Sequence, residues 1–251
     1  MPARADCIFY HSMDFPDGET VAGTWDIRGC FDSYIGRYPL QGKSVLDVGT
    51  ASGFLAFAAE KCGALVTALD TVEPGDYVRL PFRDALQYRD PTAWAAQHEK
   101  NYIGPHRRAF WYAWHKYKSR VTVHYLPLMQ WAHWGQRFDI VIAGAIVEHL
   151  ADPISAIAAF TKLADEAVLI AFTPVHDTDE LTMHTMNNWS QPIFDYSWWI
   201  LSRGLYRRVF DNLGFDVEFV EARATQNPTA SNGQSTPREW ARPTIIARRR
   251  R

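Results

Sequence analysis

The chain has 251 residues, a formal net charge of −2 at pH 7 and 47% hydrophobic residues. This length suffices for one large α/β domain with its own core, and the near-neutral charge excludes the broadly basic surface that nucleic acids select. The one local exception is the basic tail ARRRR at 247–251. A short tail of this kind is typical of a solvated chain end.

The cysteines and the apolar runs indicate the cellular compartment of the protein. Cys7, Cys30 and Cys62 are widely spaced and form no CxxC pair, which favours free thiols in a reducing cytosol. The first twenty residues lack the continuous apolar core of a signal peptide. The run IVIAGAIV at 140–147 is too short to cross a bilayer. We therefore expect a cytoplasmic protein without a membrane-spanning segment.

Residues 1–40 mix turn-forming residues with aromatic ones, which predicts an irregular N-terminal cap with one short helix near 26–38. The main domain, 41–251, opens with a strand (KSVLDVG), a helix (FLAFAAEKCG) and a second strand (ALVTALD). Periodicity and capping residues then predict helices near 93–100, 106–119, 152–164 and 203–214, and strands at 120–126, 138–145, 166–173, 216–224 and 242–249.

Strands that alternate with helices predict a parallel sheet with right-handed crossovers. The last two strands are joined by a long loop without a helix, which favours an antiparallel pair at one edge. The sequence thus predicts a Rossmann-like, doubly wound α/β fold whose seven-stranded sheet is mostly parallel with an antiparallel edge strand. A lid over the substrate is expected at about 174–205.

A glycine turn follows the first strand, in the sequence VLDVGTASGF. Glycine tolerates the backbone conformation of such a turn, and the missing side chains at Gly49 and Gly53 let a ligand touch the main chain. Amides at the start of the next helix present donors. Asp70 ends the following strand, where a carboxylate can bind both hydroxyls of a ribose. These features predict a site for an adenosine derivative.

Asp47 precedes the first glycine and distinguishes between adenosine derivatives. A dinucleotide site favours GxGxxG with a pyrophosphate on the helix, and a carboxylate pointing at the turn would repel that pyrophosphate. An ammonium or sulfonium centre would be attracted instead. A nicotinamide-dependent oxidoreductase is therefore disfavoured.

Together these residues resemble a known family. The stretch 45–70 is similar to the nucleotide-binding half of the class I S-adenosylmethionine (SAM) methyltransferases, with Ala51 where many members have glycine. The stretch 138–157, FDIVIAGAIVEHLADPISAI, resembles their fourth strand and following helix. Flanking segments resemble a branch that contains wobble-uridine tRNA-modifying methyltransferases and related small-molecule enzymes, so that the likeness covers most of 8–215.

The resemblance implies SAM as the cofactor, S-adenosylhomocysteine as its product, and a set of binding residues. The methionine part would be surrounded by the glycine turn, the ribose held by Asp70 and the adenine flanked by Thr71. No acid follows the strand VTVHYL, so Met129 and Gln130 would replace the usual contact to the adenine amino group. The implied cofactor-binding residues are Asp47, Gly49, Thr50, Ser52, Gly53, Asp70, Thr71, Met129, Gln130, Ala143 and Gly144.

His149 and His176 are the candidate general bases, because a neutral imidazole accepts a proton near pH 7. Glu148 is expected to be a surface charge. No metal is predicted, because the histidines and acids after the fifth strand match no metal-binding spacing. The flanking segments supply the candidate substrate-binding residues, which are Tyr10, His11, Trp25, His176, His184 and Trp199.

The sequence therefore predicts a SAM-dependent methyltransferase that modifies an oxygen or nitrogen of a small molecule. One alternative is a tRNA wobble-uridine-modifying enzyme, which would need a positive face built from Arg203, Arg207, Arg208 and the tail. The other is a non-catalytic SAM-binding protein, since a fold does not determine a function. The oligomeric state stays open.

Overall fold

A computed structural model describes residues 1–72, 89–186, 198–229 and 233–251. The helices are α1 Phe31–Tyr34, α2 Phe54–Lys61, α3 Pro91–His98, α4 Gly104–Tyr117, α5 Pro153–Leu163 and α6 Arg203–Asn212. The strands are β1 Met13–Asp14, β2 Thr20–Val21, β3 Trp25–Asp26, β4 Ser44–Val48, β5 Leu65–Asp70, β6 Thr122–Tyr125, β7 Phe138–Gly144, β8 Ala164–Ala171, β9 Val175–His176, β10 Met183–Thr185, β11 Trp199–Ser202, β12 Phe215–Gln226 and β13 Arg238–Arg249.

The central sheet has eight strands in the order β3-β12-β13-β8-β7-β4-β5-β6. Strands β4 to β8 run parallel to one another, whereas β13 runs antiparallel to both β8 and β12. The predicted mostly parallel sheet with an antiparallel pair at one end is confirmed. The eighth strand, β3, was not predicted, because a two-residue strand carries no periodicity.

Two hydrophobic clusters cover the two faces of this sheet. Val45 belongs to one cluster and its neighbour Leu46 to the other, and the same alternation separates Ile140 from Val141. Side chains alternate between the faces of a strand, so a sheet covered on both faces needs continuous apolar strands. Helices α2 and α4 pack on one face and α5 and α6 on the other, as a doubly wound fold requires.

The strand order reverses at β4, which has β5 on one side and β7 on the other. In doubly wound sheets, ligands bind at this reversal, outside the carboxyl ends of the strands. The crevice in this protein is therefore bordered by Val48, Asp70 and Gly144, the last residues of three adjacent strands.

The N-terminal segment and the stretch after β8 are more irregular than the sheet. The predicted helix near 26–38 is reduced to the single turn α1, after which Gly36 and Arg37 have positive φ angles of 69° and 55°. In the stretch predicted as a lid, β10, β11 and β9 form a separate small sheet. No helix in the described part of the chain is long and apolar enough to cross a membrane.

Candidate active site

In the glycine turn after β4, neighbouring side chains pack directly against the main chain, because glycine has no side chain. Gly49 and Gly53 have φ angles of 75° and 89°. A Cβ atom at Gly49 would lie 2.6 Å from Ile146 Cδ1, and one at Gly53 would lie 2.4 Å from Phe57 and 2.7 Å from Phe110. Both positions therefore require glycine for its conformation and for its lack of a side chain.

Non-glycine residues also adopt left-handed conformations around the crevice. Ala51, in the glycine turn, has a φ of 49°; Ala145, directly after β7, has 46°; and Phe172, directly after β8, has 55°. Such conformations cost energy and cluster at functional sites. Their position at three neighbouring strand ends marks this edge of the sheet as the functional one.

Replacing Gly53 with alanine is expected to destabilise the protein by about 2–4 kcal/mol, because the new Cβ combines backbone strain with overlap on Phe57 and Phe110. Urea unfolding measures this loss. Gly18→Ala is the matched control, since Gly18 has a similar φ of 87° but no described atom within 4 Å of the added Cβ. Equal losses in the two variants would show that packing at Gly53 is unimportant.

Asp47 is a buried carboxylate without a cationic partner among the described residues. It is 1% exposed, and neither of its oxygens has a partner at hydrogen-bond geometry in that part of the chain. Burial raises its pKa to about 7, although the Thr50 hydroxyl and the Ala56 amide are close enough to oppose the increase. The hydroxyl of Thr50, two residues after Val48, is also buried and unpartnered among these residues. Buried polar groups are normally satisfied, so this pair fits a ligand that supplies a positive charge and N–H donors.

Asp70 connects the end of β5 to the glycine turn. Its Oδ2 accepts a hydrogen bond from the Ala51 amide and its Oδ1 one from the Thr71 amide, both at 2.8 Å. Burial raises its pKa, and these amides and the nearby Arg107 oppose the increase. Each carboxylate oxygen has a further lone pair, so two hydroxyl donors can still be accommodated.

Ser52 holds the N-terminal segment against the turn. Its buried hydroxyl accepts hydrogen bonds from the backbone amides of Tyr10, at 3.1 Å, and His11, at 3.5 Å. The resemblance implied that Ser52 surrounds the methionine, whereas its contacts here are to the segment predicted as a cap. Ser52 thereby places Tyr10 and His11 beside the predicted cofactor site.

The remaining predicted cofactor residues lie around the same edge. Thr71 is buried directly after β5, and Ala143 is buried in β7. Gly144 is packed so closely that a Cβ would lie 2.5 Å from Leu55 Cδ1. Met129 and Gln130 lie on the 3₁₀ turn Leu128–His133 after β6, with the Gln130 side chain exposed.

The two predicted bases lie on different elements. His149 is half-buried in the one-turn helix Val147–His149, between β7 and α5. His176 in β9 is exposed and its ring lies 5.0 Å from that of His184 in β10, edge to face. The indole of Trp199 donates a hydrogen bond to the Ala151 carbonyl at 3.1 Å.

The expectation for Glu148 was wrong, since this residue is 3% exposed. Its Oε2 accepts a hydrogen bond from the Thr173 hydroxyl at 3.1 Å, and its Oε1 lies 3.7 Å from Nη1 of Arg242. The segment forms a tight turn before α5 begins at Pro153, so Glu148 points into the protein.

Three titratable side chains beside the crevice, from the N-terminal segment and α4, are uncharged near neutral pH. Burial lowers the pKa of His11 to about 3 and that of His106 to about 4, and it raises the pKa of Tyr10 to about 12. Trp25 is half-buried and packs edge to face on Phe172, with 5.6 Å between ring centroids. These side chains are thus aromatic or uncharged.

A family model described as a methyltransferase domain matches residues 32–220. The chain belongs to the methyltransferase-domain family. This confirms the expected methyltransferase family, whereas the resemblance to the wobble-uridine branch is not confirmed.

Known proteins resemble this methyltransferase at low identity. Ubiquinone biosynthesis O-methyltransferase from Actinobacillus pleuropneumoniae serotype 7 is 26% identical over 177 residues, which cover 64% of this chain and 63% of the relative. The chain thus spans less than two thirds of that relative.

Two solved structures share the fold with this methyltransferase. Magnesium protoporphyrin IX methyltransferase from Synechocystis PCC 6803, crystallised with S-adenosylhomocysteine, has a TM-score of 0.50 at 15% identity, covering 88% of this chain and 80% of its own. The 1,6-didemethyltoxoflavin-N1-methyltransferase from Burkholderia thailandensis has a TM-score of 0.50 at 15% identity, covering 90% and 78%. At these identities the likeness establishes the fold alone.

Sequence reasoning missed two contacts at this site. Tyr34 and Phe172 stack at a centroid distance of 5.4 Å, and Arg242 reaches Glu148 from β13. The apolar neighbours Val147 and Leu150 were a signal that Glu148 is buried. Within the described residues, no group of three or more His, Cys, Asp or Glu side chains is arranged to hold a metal.

Proposed function

We propose that this methyltransferase transfers a methyl group from SAM to an oxygen or nitrogen of a small-molecule acceptor. The observation that carries the proposal is the buried, unpartnered carboxylate of Asp47 beneath a bare backbone turn. A cationic methyl donor would place a positive charge beside this carboxylate.

The residues at the crevice fit each part of the donor. Asp47 and Thr50 are suited to the ammonium group of the methionine part, and the free lone pairs of Asp70 to the ribose hydroxyls. Thr71 and the turn with Met129 and Gln130 would flank the adenine, and the main chain of Ala143 and Gly144 the methionine part. When bound, SAM supplies a methyl group on a positively charged sulfur that leaves as a neutral thioether.

The chain's own contribution to such a transfer is positioning and the exclusion of water. Ser52 ties the N-terminal segment to the turn, and Tyr10, His11 and Trp25 on that segment are suited to line the acceptor side. His149 and His176 remain the candidate bases for an acceptor that must lose a proton. We propose that 1–40 acts as a cap and 174–205 as a lid on the domain 41–251.

The names of the relatives support a small acceptor. The Actinobacillus relative is named an O-methyltransferase of ubiquinone biosynthesis, and the Burkholderia enzyme was crystallised with 1,6-didemethyltoxoflavin. Both names refer to small ring compounds.

Several of the arginines that would have favoured tRNA are paired with acids. Arg203 pairs with Asp177 and Arg207 with Asp179, on the edge of α6. In the tail, Arg250 contacts both Asp211 and Asp216. A face of paired charges attracts phosphate backbones weakly, which favours the small-molecule acceptor.

Binding and turnover test the proposal separately. Titration calorimetry is expected to detect SAM and S-adenosylhomocysteine but not NADH. Tritiated SAM, offered with pools of small phenols and amines or with bulk tRNA, is expected to label the small molecules. Label in tRNA alone would contradict the acceptor class, and donor binding without any transfer would favour a non-catalytic SAM-binding protein.

A further inference from the structure

Glu148 and Arg242 form a pair of charges, the first buried and the second half-buried, that the donor-binding residues do not include. The Arg242 side chain is 23% exposed and Glu148 is 3% exposed. Their closest atoms, Nη1 and Oε1, are 3.7 Å apart, which is too long for a hydrogen bond. The two charges therefore attract each other across a gap.

The pair is connected to the crevice by two layers of aromatic rings. The guanidinium of Arg242 lies 5.3 Å from the ring centroid of Phe172. Phe172 stacks on Tyr34 with an interplanar angle of 25°. The Tyr34 hydroxyl lies 3.6 Å from the position that a Cβ of Gly144 would occupy. The pair thus lies at the carboxyl edge of β7 and β8, beyond the predicted donor site.

The pair has fewer hydrogen bonds than its charges can make. A guanidinium has five N–H donors, yet in the described ranges Arg242 makes none of the hydrogen bonds observed; its other contacts are the ring faces of Phe172 and Trp240. The carboxylate of Glu148 has one donor among the same residues, the Thr173 hydroxyl. A buried carboxylate such as Glu148 is costly unless hydrogen bonds complete its pairing, and the half-buried guanidinium still has donors to offer, so this pair is suited to a polar ligand group.

We propose that Glu148 and Arg242 form a docking pair for a hydroxyl group of the acceptor, which donates to the carboxylate and accepts from the guanidinium. The pair carries no net charge, so it favours a neutral hydroxyl over a carboxylate or an ammonium group. The neighbouring rings of Trp25, Phe172 and Trp240 make the surroundings of the pair apolar, which favours an acceptor with an apolar body. The acceptor class is thus a neutral hydroxylated ring compound, and this inference rests on the proposed methyltransferase function.

The test uses 4-fluorophenol as the probe, followed by fluorine NMR on protein saturated with S-adenosylhomocysteine. Glu148→Gln and Arg242→Lys are each expected to weaken probe binding by about tenfold, the usual effect of losing a hydrogen bond to a charged group. The double variant should lose less than the product of the two effects, because one hydroxyl contacts both residues. The carboxylate probe 4-fluorobenzoate should bind the unchanged protein at least about fivefold more weakly than the phenol.

Glu218→Gln is the matched control, because it breaks a similar pair with Arg248 on the exposed side of β12 and β13. It should leave probe binding unchanged. Thermal melting identifies any variant that does not fold, and Arg242→Lys then carries the test alone. Failure of the phenol to bind, equal binding by the variants, or preference for the benzoate would each overturn the docking pair. Loss of S-adenosylhomocysteine binding by the unchanged protein would instead overturn the proposed function.

Discussion

Replacing Asp70 with alanine is expected to weaken S-adenosylhomocysteine binding by at least about a hundredfold. The carboxylate would lose its two ribose hydrogen bonds, each worth about 1.5–3 kcal/mol with a charged acceptor. It would also release the Ala51 amide, which it holds at 2.8 Å, and so loosen the glycine turn. Titration calorimetry at pH 8 measures the affinity.

Asp139→Ala separates binding from general destabilisation. Asp139 lies near the start of β7, at the opposite edge of the sheet, where its Oδ2 accepts hydrogen bonds from the amide and the hydroxyl of Ser44 at 2.7 and 2.8 Å. Both variants should lose about 1–2 kcal/mol of stability, since each frees backbone donors. Only the change at Asp70 should reduce the affinity for S-adenosylhomocysteine. If the Asp70→Ala protein bound this ligand normally, Asp70 would not be the residue that binds the ribose.

The affinity for S-adenosylhomocysteine is expected to rise with pH up to about 7 and then to level off. Asp47, with a pKa of about 7, is neutral below that pH, and a neutral acid does not attract the ammonium group of the ligand. Binding must then expel a proton, so affinity should fall by about tenfold for each pH unit below 7. Calorimetry between pH 5.5 and 8.5 measures the profile.

Asp47→Asn is the companion variant. It should bind S-adenosylhomocysteine about a hundredfold more weakly at pH 8, and its affinity should not vary with pH, because the titrating charge is gone.

The stability of the ligand-free protein should depend on pH in the opposite direction. Asp47 has a raised pKa in the folded state, so folding takes up a proton between about pH 4 and 7 and stability falls as pH rises through that window, by at most about 4 kcal/mol. If the affinity of the unchanged protein for S-adenosylhomocysteine did not vary with pH, the role of Asp47 would be contradicted.

Local patterns explain why the sheet was predictable. Strands such as β4 and β7 are apolar because both faces are covered, and α5 begins where Asp152 caps its first turn before Pro153. Short elements lack such signals. In the small sheet of β9, β10 and β11, the strands have only two to four residues and β10 is exposed, so no alternation of apolar residues identified it.

The site, too, has features that a local sequence pattern predicts and features that it does not. Asp47 and Asp70 were predictable because they flank one turn and its helix in a continuous stretch of chain. The contact of Ser52 with the amides of Tyr10 and His11, and the approach of Arg242 to Glu148, join distant parts of the sequence. Their geometry depends on the packed fold, which no local periodicity encodes.

The left-handed backbone of Ala51, Ala145 and Phe172 has a consequence for how this protein could be improved. Each such residue raises the energy of the native state by about 1 kcal/mol or more. Glycine would relieve this strain at Ala51 and Ala145, whereas at Phe172 the loss of a buried ring that packs on Tyr34 and Trp25 would outweigh the gain. An engineer who selects only for heat resistance would therefore be drawn to the two alanines. If this rim orients the reactants as proposed, durability and turnover should trade against each other there.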